Sequence, residues 1–306
     1  MRVRIVALLL IVAAGSVWAA DSYTVAVLRG PTAVAFAPLM TEEVVLPDGR
    51  VLEFEVTPSP DVLVARLISG EVDAATLPSN LAARLFNRGI ELQVAATFIW
   101  GVLYMLGPPG TELEDLAGGE VYSIGRGATP DLVLRYVLEQ RDIDPVTIRY
   151  GLGQVELSQL LIAGRVGVAV LPEPFVTRVL GETDERVVVA DMQALWREIT
   201  GEAMPQTVLV TLGSQSDLMR TELTGLLRES VDGLQDNPHE SLQNIGDLGL
   251  GLDAQTAIAA LPRLNLRVES GVQSRSALVR YLGVLQAFDP ASIGGEVPAE
   301  SFFGVR

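Results

Sequence analysis

The chain contains the same short supersecondary device twice, and this repeat limits the folds open to it more than any other feature. Tyr23-Thr-Val-Ala-Val-Leu28 is a β-rich run that leads into Arg29-Gly30-Pro31-Thr32 and an apolar stretch through Met40. At an offset of 97 residues, Glu120-Val-Tyr-Ser-Ile-Gly125 leads into Arg126-Gly127-Ala128-Thr129 and a clear helix. In that helix Thr129 can cap, Pro130 suits the first turn, Asp131 complements the dipole, and Leu132, Val133, Tyr136 and Val137 share one apolar face. A second unit recurs at an offset of 94: Leu67 to Pro78 reads as a helix end, a Gly70 C-cap and a buried strand, and Leu161 to Pro172 repeats it. Each strand runs into another candidate helix, Asn80 to Asn87 and Phe175 to Leu180. Two matches in the same order predict two similarly built α/β lobes. Alternating strands and helices further predict that each lobe is a mainly parallel sheet flanked by helices, with its working loops at the strands' carboxyl ends.

The lobe limits follow from breakers. Gly107-Pro108-Pro109-Gly110 comes just after the apolar run Phe98 to Leu106, and the strand-like run Thr207 to Leu212 comes just after Met204-Pro205. Read as the two crossings, they predict a discontinuous first lobe (20–106 plus 207–306), a continuous second lobe (107–206) and a two-strand hinge. The helical pattern of Leu218, Leu223, Leu226, Leu227 and Val231, and later of Ala277 to Phe288, should pack back on the first lobe.

Composition removes most catalytic chemistry. All 22 basic residues are Arg, there is no Cys, and His239 is the sole histidine among 306 residues. Without Lys there is no Schiff-base or pyridoxal-phosphate anchor and no P-loop lysine. Without Cys there is no thiolate nucleophile, disulfide or cysteine-ligated metal. No Ser lies in a Gly-x-Ser-x-Gly setting, and the carboxylate clusters at Glu42-Glu43, Glu112 to Asp115 and Glu182 to Glu185 lack a calcium-loop spacing. A formal charge of −16 repels phosphate backbones and anionic lipid, so no nucleic-acid partner is expected. A binder that uses no cofactor and no metal fits these facts better than an enzyme.

Residues 1–19 carry the signature of a signal peptide. Arg2 and Arg4 precede the apolar run Ile5 to Ala14, which is too short to cross a bilayer, and Val17-Trp18-Ala19 offers a cleavage site after Ala19. Cleavage would leave a net charge of −18, and with no lipobox cysteine the expectation is a free periplasmic protein, monomeric and without stable membrane insertion.

With these features the sequence resembles the periplasmic solute-binding proteins of ABC importers, and within them the NMT1/THI5-like (SsuA/ThiY-like) group of sulfonate, nitrate and thiamine-precursor binders. The motifs that carry the resemblance are Leu28-Arg-Gly-Pro-Thr32, Ser69-Gly-Glu-Val-Asp-Ala-Ala75 with Leu77-Pro-Ser-Asn-Leu81, Gly125-Arg-Gly-Ala-Thr-Pro130, Leu171-Pro-Glu-Pro-Phe175 and Asp289-Pro-Ala-Ser-Ile-Gly-Gly295. The resemblance implies a two-lobed type II, Venus-flytrap fold, a small-molecule ligand in the cleft, and an ABC permease with its ATPase as partner. Gly167 stands where the group has Asp, as at Asp73. The group's lysine-dependent enzyme chemistry has no counterpart in a chain without Lys.

In such a fold the paired loops line the cleft. Gly30, Thr32, Gly127, Ala128 and Thr129 would offer backbone N–H groups to an anion or carbonyl, with Arg29 and Arg126 able to add bidentate contacts, or else serving only to neutralise nearby acids. Ser79 and Asn80 occupy the place that Glu173 and Pro174 take in the second copy, a difference that can carry selectivity. The competing roles are a helix cap for Asn80 and a hinge salt bridge for Glu173. Trp100 beside Gly101 could form a flat wall for a ring and Phe175 is a further cleft candidate, while core packing is the expected role of most of the aromatics near the crossings, Phe98, Trp100, Tyr104 and Phe175. Two other readings stay open: an enzyme of menaquinone synthesis on the same fold, with Glu173 as acid or base, and a ligand-sensing partner of a membrane receptor.

Overall fold

The computed structural model describes residues 22–213 and 215–304; the leader read at 1–19 lies outside them. In chain order the elements are β1 (Ser22–Leu28), α1 (Pro31–Phe36), β2 (Val51–Thr57), α2 (Pro60–Ser69), β3 (Ala74–Pro78), α3 (Ser79–Asn87), β4 (Leu92–Ile99), β5 (Leu103–Gly107), β6 (Glu120–Tyr122), α4 (Thr129–Gln140) and β7 (Thr147–Arg149). Then come α5 (Gln154–Ile162), β8 (Ala169–Pro172), α6 (Phe175–Glu182), β9 (Val187–Asp191), α7 (Met192–Thr200), β10 (Thr207–Leu212), α8 (Asp217–Asp236), α9 (Pro238–Ser241), α10 (Ala254–Ala260), β11 (Leu266–Ser270) and α11 (Gly271–Phe288).

The strands form two sheets, β11-β4-β10-β3-β1-β2 and β7-β6-β8-β5-β9. The repeat explains their likeness. In each, the strand before the Arg-Gly loop (β1, β6) lies between the strand of the second repeated unit (β3, β8) and a parallel edge strand (β2, β7). A strand that runs the other way then pairs with β3 or β8, namely β10 in the first sheet and β5 in the second. Both sheets are therefore mixed: β1 to β4 run one way with β10 and β11 reversed in the first, and β6 to β9 run one way with β5 reversed in the second. β10 and β5 each begin where the chain has just crossed between sheets, so each enters its new sheet reversed.

The first crossing is also earlier than the breaker at Gly107–Gly110 implied. Leu103 to Leu106 pair with β8 of the second sheet, so the chain passes over at Trp100–Val102. The Pro-Pro turn only ends β5. A run of apolar residues through a crossing hides it, because both strands are buried and differ in partner rather than in composition.

One apolar cluster is confined to the first sheet, where Phe36 meets Phe98 edge-on at 5.6 Å between centroids. Another runs through both sheets. There α11 touches helices of the second sheet: Tyr281 lies 5.2 Å from Trp196, Phe288 lies 5.4 Å from Tyr136, and Arg135 pairs with Asp289 at 3.2 Å. Trp196 and Tyr281 are fully buried, so this aromatic joint, worth several kcal/mol, fastens the two halves on the side of α11.

Candidate functional site

The carboxyl ends of β1, β3, β6 and β8 point toward the junction of the two sheets, and the helix starts that follow them meet there. Asn80, in the first turn of α3, accepts a hydrogen bond from the Thr129 hydroxyl at the first residue of α4, Oγ1 to Oδ1 3.0 Å. Both residues are buried, at 2 % exposure each. The Asn80 amide nitrogen has no hydrogen-bond partner among the described residues. Neighbouring Ser79 is held by the second crossing, its hydroxyl donating to the Pro205 carbonyl and its N–H to the Gln206 carbonyl at 2.9 Å.

The Arg126-Gly127-Ala128 loop is closed upon itself. Gly127, at φ +74°, donates its N–H to the Asp131 carboxylate at 2.7 Å, and Ala128 donates to the Gly125 carbonyl at 2.9 Å. Asp131 is fully buried and also accepts from the Tyr150 hydroxyl at 2.6 Å and from Arg135 at 3.2 Å. Arg126 is exposed and stacks over the Tyr150 ring at 4.5 Å. The Gly127 and Ala128 amides expected to be free are thus engaged inside the loop, the first by the buried Asp at the third position of the helix. In the first copy the Thr32 hydroxyl donates to the Leu28 carbonyl, Pro31 has no N–H, and Arg29 uses its N–H on the Thr57 carbonyl at 2.9 Å.

Glu173 takes the hinge-pair role. Fully buried, it accepts from the Thr177 N–H at 2.9 Å, from the Thr177 hydroxyl at 3.0 Å and from the Arg263 guanidinium, which reaches it from the segment before β11. Arg263 also donates to Thr177 at 2.7 Å. Tyr104 closes the group, donating to the Arg263 carbonyl at 3.1 Å, and burial holds its phenol up at about 12. Phe175 starts α6 and approaches Gly30; with Arg29, Pro174 and Arg178 they border a cavity of about 20 Å³, room for roughly one water. The two halves are therefore drawn together with the candidate residues touching one another.

Trp100 does not form a ligand wall. Its indole N–H donates to the Arg267 carbonyl at 2.8 Å and the Arg267 guanidinium covers its ring at 3.9 Å, because β11 pairs antiparallel with β4 and brings Arg267 over it. The crossing around it is sealed by amides: Gln193 accepts from Leu103 at 3.0 Å, Gln206 accepts from Val102 at 3.1 Å, and Asn265 donates to the Gly101 carbonyl at 2.8 Å. Gly101 has φ +97°, and a Cβ there would lie 2.5 Å from the Gln193 Cβ, so only glycine fits.

The structure thus brings Gly30, Asn80, Thr129, Glu173 and Phe175 to the junction, with the exposed Arg29 at the rim of its cavity, leaves Arg126 exposed over Tyr150, and gives Trp100 to the fold. Sequence reasoning missed Asp131 as a loop filler, Arg263 as the partner of Glu173, and Ser123, whose buried hydroxyl at the end of β6 has no partner among the described residues. Asp131 had a signal: Val34 occupies the matching place in the first copy, so the two repeats differ there in charge. Arg263 had none, since its segment carries no motif. His239 is exposed on α9, and the described residues hold no cluster of three or more His, Cys, Asp or Glu able to bind a metal. Among those residues no helix is long and apolar enough to cross a membrane.

Comparison with known proteins places this geometry. A family model described as "Menaquinone biosynthesis" matches residues 33–287. Among solved structures, an ABC transporter from Parabacteroides distasonis is 29 % identical, with a TM-score of 0.81 over 92 % of this chain and 98 % of that one. The periplasmic aliphatic sulphonate binding protein SsuA from Escherichia coli is 12 % identical, TM-score 0.68, covering 93 % and 99 %. A Candida albicans gene product described as having the generic periplasmic binding protein fold is 15 % identical, TM-score 0.60, covering 92 % and 93 %. No curated protein matches the sequence. The fold is that of the two-lobed periplasmic binding proteins.

Proposed function

This chain belongs to the menaquinone biosynthesis family and is built on the periplasmic-binding fold, and we propose that it works as an exported solute-binding protein. It captures a small polar or aromatic molecule between lobe 1 (20–102 plus 207–306) and lobe 2 (103–206) and presents it to an ABC permease with its ATPase. The observation that carries this reading is the Asn80–Thr129 contact, in which helix starts of the two repeated units face each other across the junction. A ligand admitted there replaces that contact with hydrogen bonds to both lobes, and binding energy is then converted into closure. Its likeness to an ABC transporter structure at 29 % identity supports the transport role. The leader at 1–19 supports a periplasmic location.

The test is a thermal-shift screen of ethanesulfonate, nitrate, benzoate, uracil and riboflavin. At a hundredfold excess over Kd a ligand adds about 2.7 kcal/mol, several degrees at this size. A saturable shift that disappears in Asn80→Ala supports the reading, and a shift that persists undiminished in that variant contradicts the site.

The family match favours a second reading, an enzyme of menaquinone synthesis that uses Glu173 as acid or base. The geometry supports it less: the Glu173 carboxylate is already engaged by Arg263 and Thr177, so proton transfer would first have to break that pair. Turnover of a bound compound, abolished in Glu173→Gln, would favour the enzyme over the carrier.

A further inference from the structure

A cavity of about 460 Å³ lies wholly within lobe 1 and shares no lining residue with the small cavity at Gly30 and Phe175. Its volume falls in the range of small-molecule sites, roughly 300–1,000 Å³. One face of α8 lines it at Asp217, Arg220, Thr224 and Arg228, the first turn of α11 lines it at Gly271 and Val272, and Phe303 and Gly304 border it from the C-terminal turn. Gly271 leaves no room for a Cβ against the Val94 carbonyl, so the start of α11 packs directly on β4 and this wall is preformed. The apolar part of the lining is Val94, Ala95, Val272 and Phe303, with Val272 58 % exposed. Arg220 is nine-tenths buried and donates to the Gln215 carbonyl at 2.6 Å and to the Asp217 carboxylate. Arg228, about two turns further along α8, is half-buried and has no carboxylate or hydrogen-bond partner among the described residues. We propose that this cavity is a second ligand site, which takes an amphipathic organic anion, its apolar body against Val94, Val272 and Phe303 and its carboxylate on Arg228.

The charge balance of the lining singles out the anion. Asp217 is the one acid among its described residues and is paired with Arg220, so Arg228 stands there as a cation without a counter-charge in a chain whose net charge is −16. A carboxylate supplies that counter-charge and can accept two parallel N–H bonds from the guanidinium. The half-burial of Arg228 takes away part of the solvent screening that makes a fully exposed ion pair weak. An alcohol of the same shape covers the same apolar surface and leaves Arg228 uncompensated, while an ammonium meets two guanidinium groups of its own sign. The head group is assigned to Arg228 rather than to the start of α11, because Ser270 and Gln273 cap that helix reciprocally, at 2.9 and 3.3 Å. The apolar body in turn removes Val272 and its neighbours from water.

Three probes that share one apolar chain and differ in head group test the site: sodium octanoate, octan-1-ol and octylammonium chloride, each titrated calorimetrically into the full mature protein at pH 7.5. Octanoate should bind saturably at one site, at least tenfold more tightly than octanol, and octylammonium should give no saturable heat. Arg228→Ala and Val272→Asp should each weaken octanoate at least tenfold, whereas Asn80→Ala, which alters the cleft, should leave octanoate affinity unchanged. No saturable binding of octanoate, equal affinity for octanol, or full affinity in Arg228→Ala overturns the proposal. Loss of octanoate binding in Asn80→Ala overturns it as well, since the acid would then sit in the cleft. Sedimentation with phosphatidylglycerol vesicles in the absence of octanoate binding would assign the surface to a membrane and reject the free acid. Circular dichroism checks that the variants fold. Should Arg228→Ala fail to, Thr221→Glu, at an exposed position of the same lining, places a carboxylate there and must produce the same loss.

Discussion

Thr129 and Asn80 are 49 positions apart in sequence, at the first turns of helices that grow from different sheets, and the Thr129 hydroxyl donates to the Asn80 side-chain oxygen at 3.0 Å. The bond spans the junction between lobes, so its strength enters the balance between open and closed forms. Asn80→Ala and Thr129→Val, alone and combined, should show a coupling of about 1 kcal/mol in a double-mutant cycle of urea unfolding. Additive effects would mean that the two side chains do not interact in solution.

The Glu173–Arg263 pair is asymmetric, with Glu173 fully buried and the Arg263 side chain 34 % exposed. Removing the cation leaves a charge in the interior, whereas neutralising the acid does not. Arg263→Ala should therefore cost about 2 kcal/mol or more, the solvent contact of Arg263 keeping it below the cost of a fully buried pair, and Glu173→Gln should cost less. Chemical denaturation of the two variants checks the order.

Gly101 sits at the first crossing with a positive φ, and its missing Cβ is what lets Gln193 lie against the chain. Gly101→Ala should destabilise by about 2 kcal/mol or more through backbone strain and displacement of Gln193, which also gives up its bond to the Leu103 N–H. Gly110→Ala, at φ +83° with open space around it, isolates the backbone part and should cost less. Equal costs in thermal unfolding would show that the contact with Gln193 is unimportant.

Alkaline pH should weaken the fold through its tyrosines. Burial raises Tyr104 and Tyr150 to about 12, helped at Tyr150 by its hydrogen bond to Asp131, and burial moves Tyr23 and Tyr281 in the same direction. In the unfolded chain these phenols ionise near 10. The unfolded state therefore loses protons first as pH rises, so this part of the stability is complete below about pH 10 and is lost as pH climbs through about 12. Urea midpoints should fall across that window, and Tyr150→Phe should make the fall shallower.

The repeat made most of the fold legible. Two copies of a strand, an Arg-Gly loop and a helix dictate two sheets with matched central strands, and β1, β3, β6 and β8 take those places. The reversed strands β10 and β5 were not legible as such, since apolar runs at a crossing carry no mark of their direction. Within the site, Asn80, Thr129 and Glu173 could be read from their place in the repeats, whereas Arg263 reaches Glu173 from 90 positions away with no motif to mark it. Trp100 is misleading because a tryptophan beside a glycine looks open in sequence, and only the pairing of β11 with β4 shows that Arg267 covers it.

The central claim, that the two lobes close on a small molecule, is tested most directly by a distance measured across them. The chain has no cysteine, so Val62→Cys on α2 and Val155→Cys on α5, both 43 % exposed, can be labelled without background. Single-molecule energy transfer between the dyes should show a mixture of long and short distances in the free protein and collapse to the short one when a deproteinised metabolite extract is added. A distance distribution unchanged by the extract at every concentration would contradict the account.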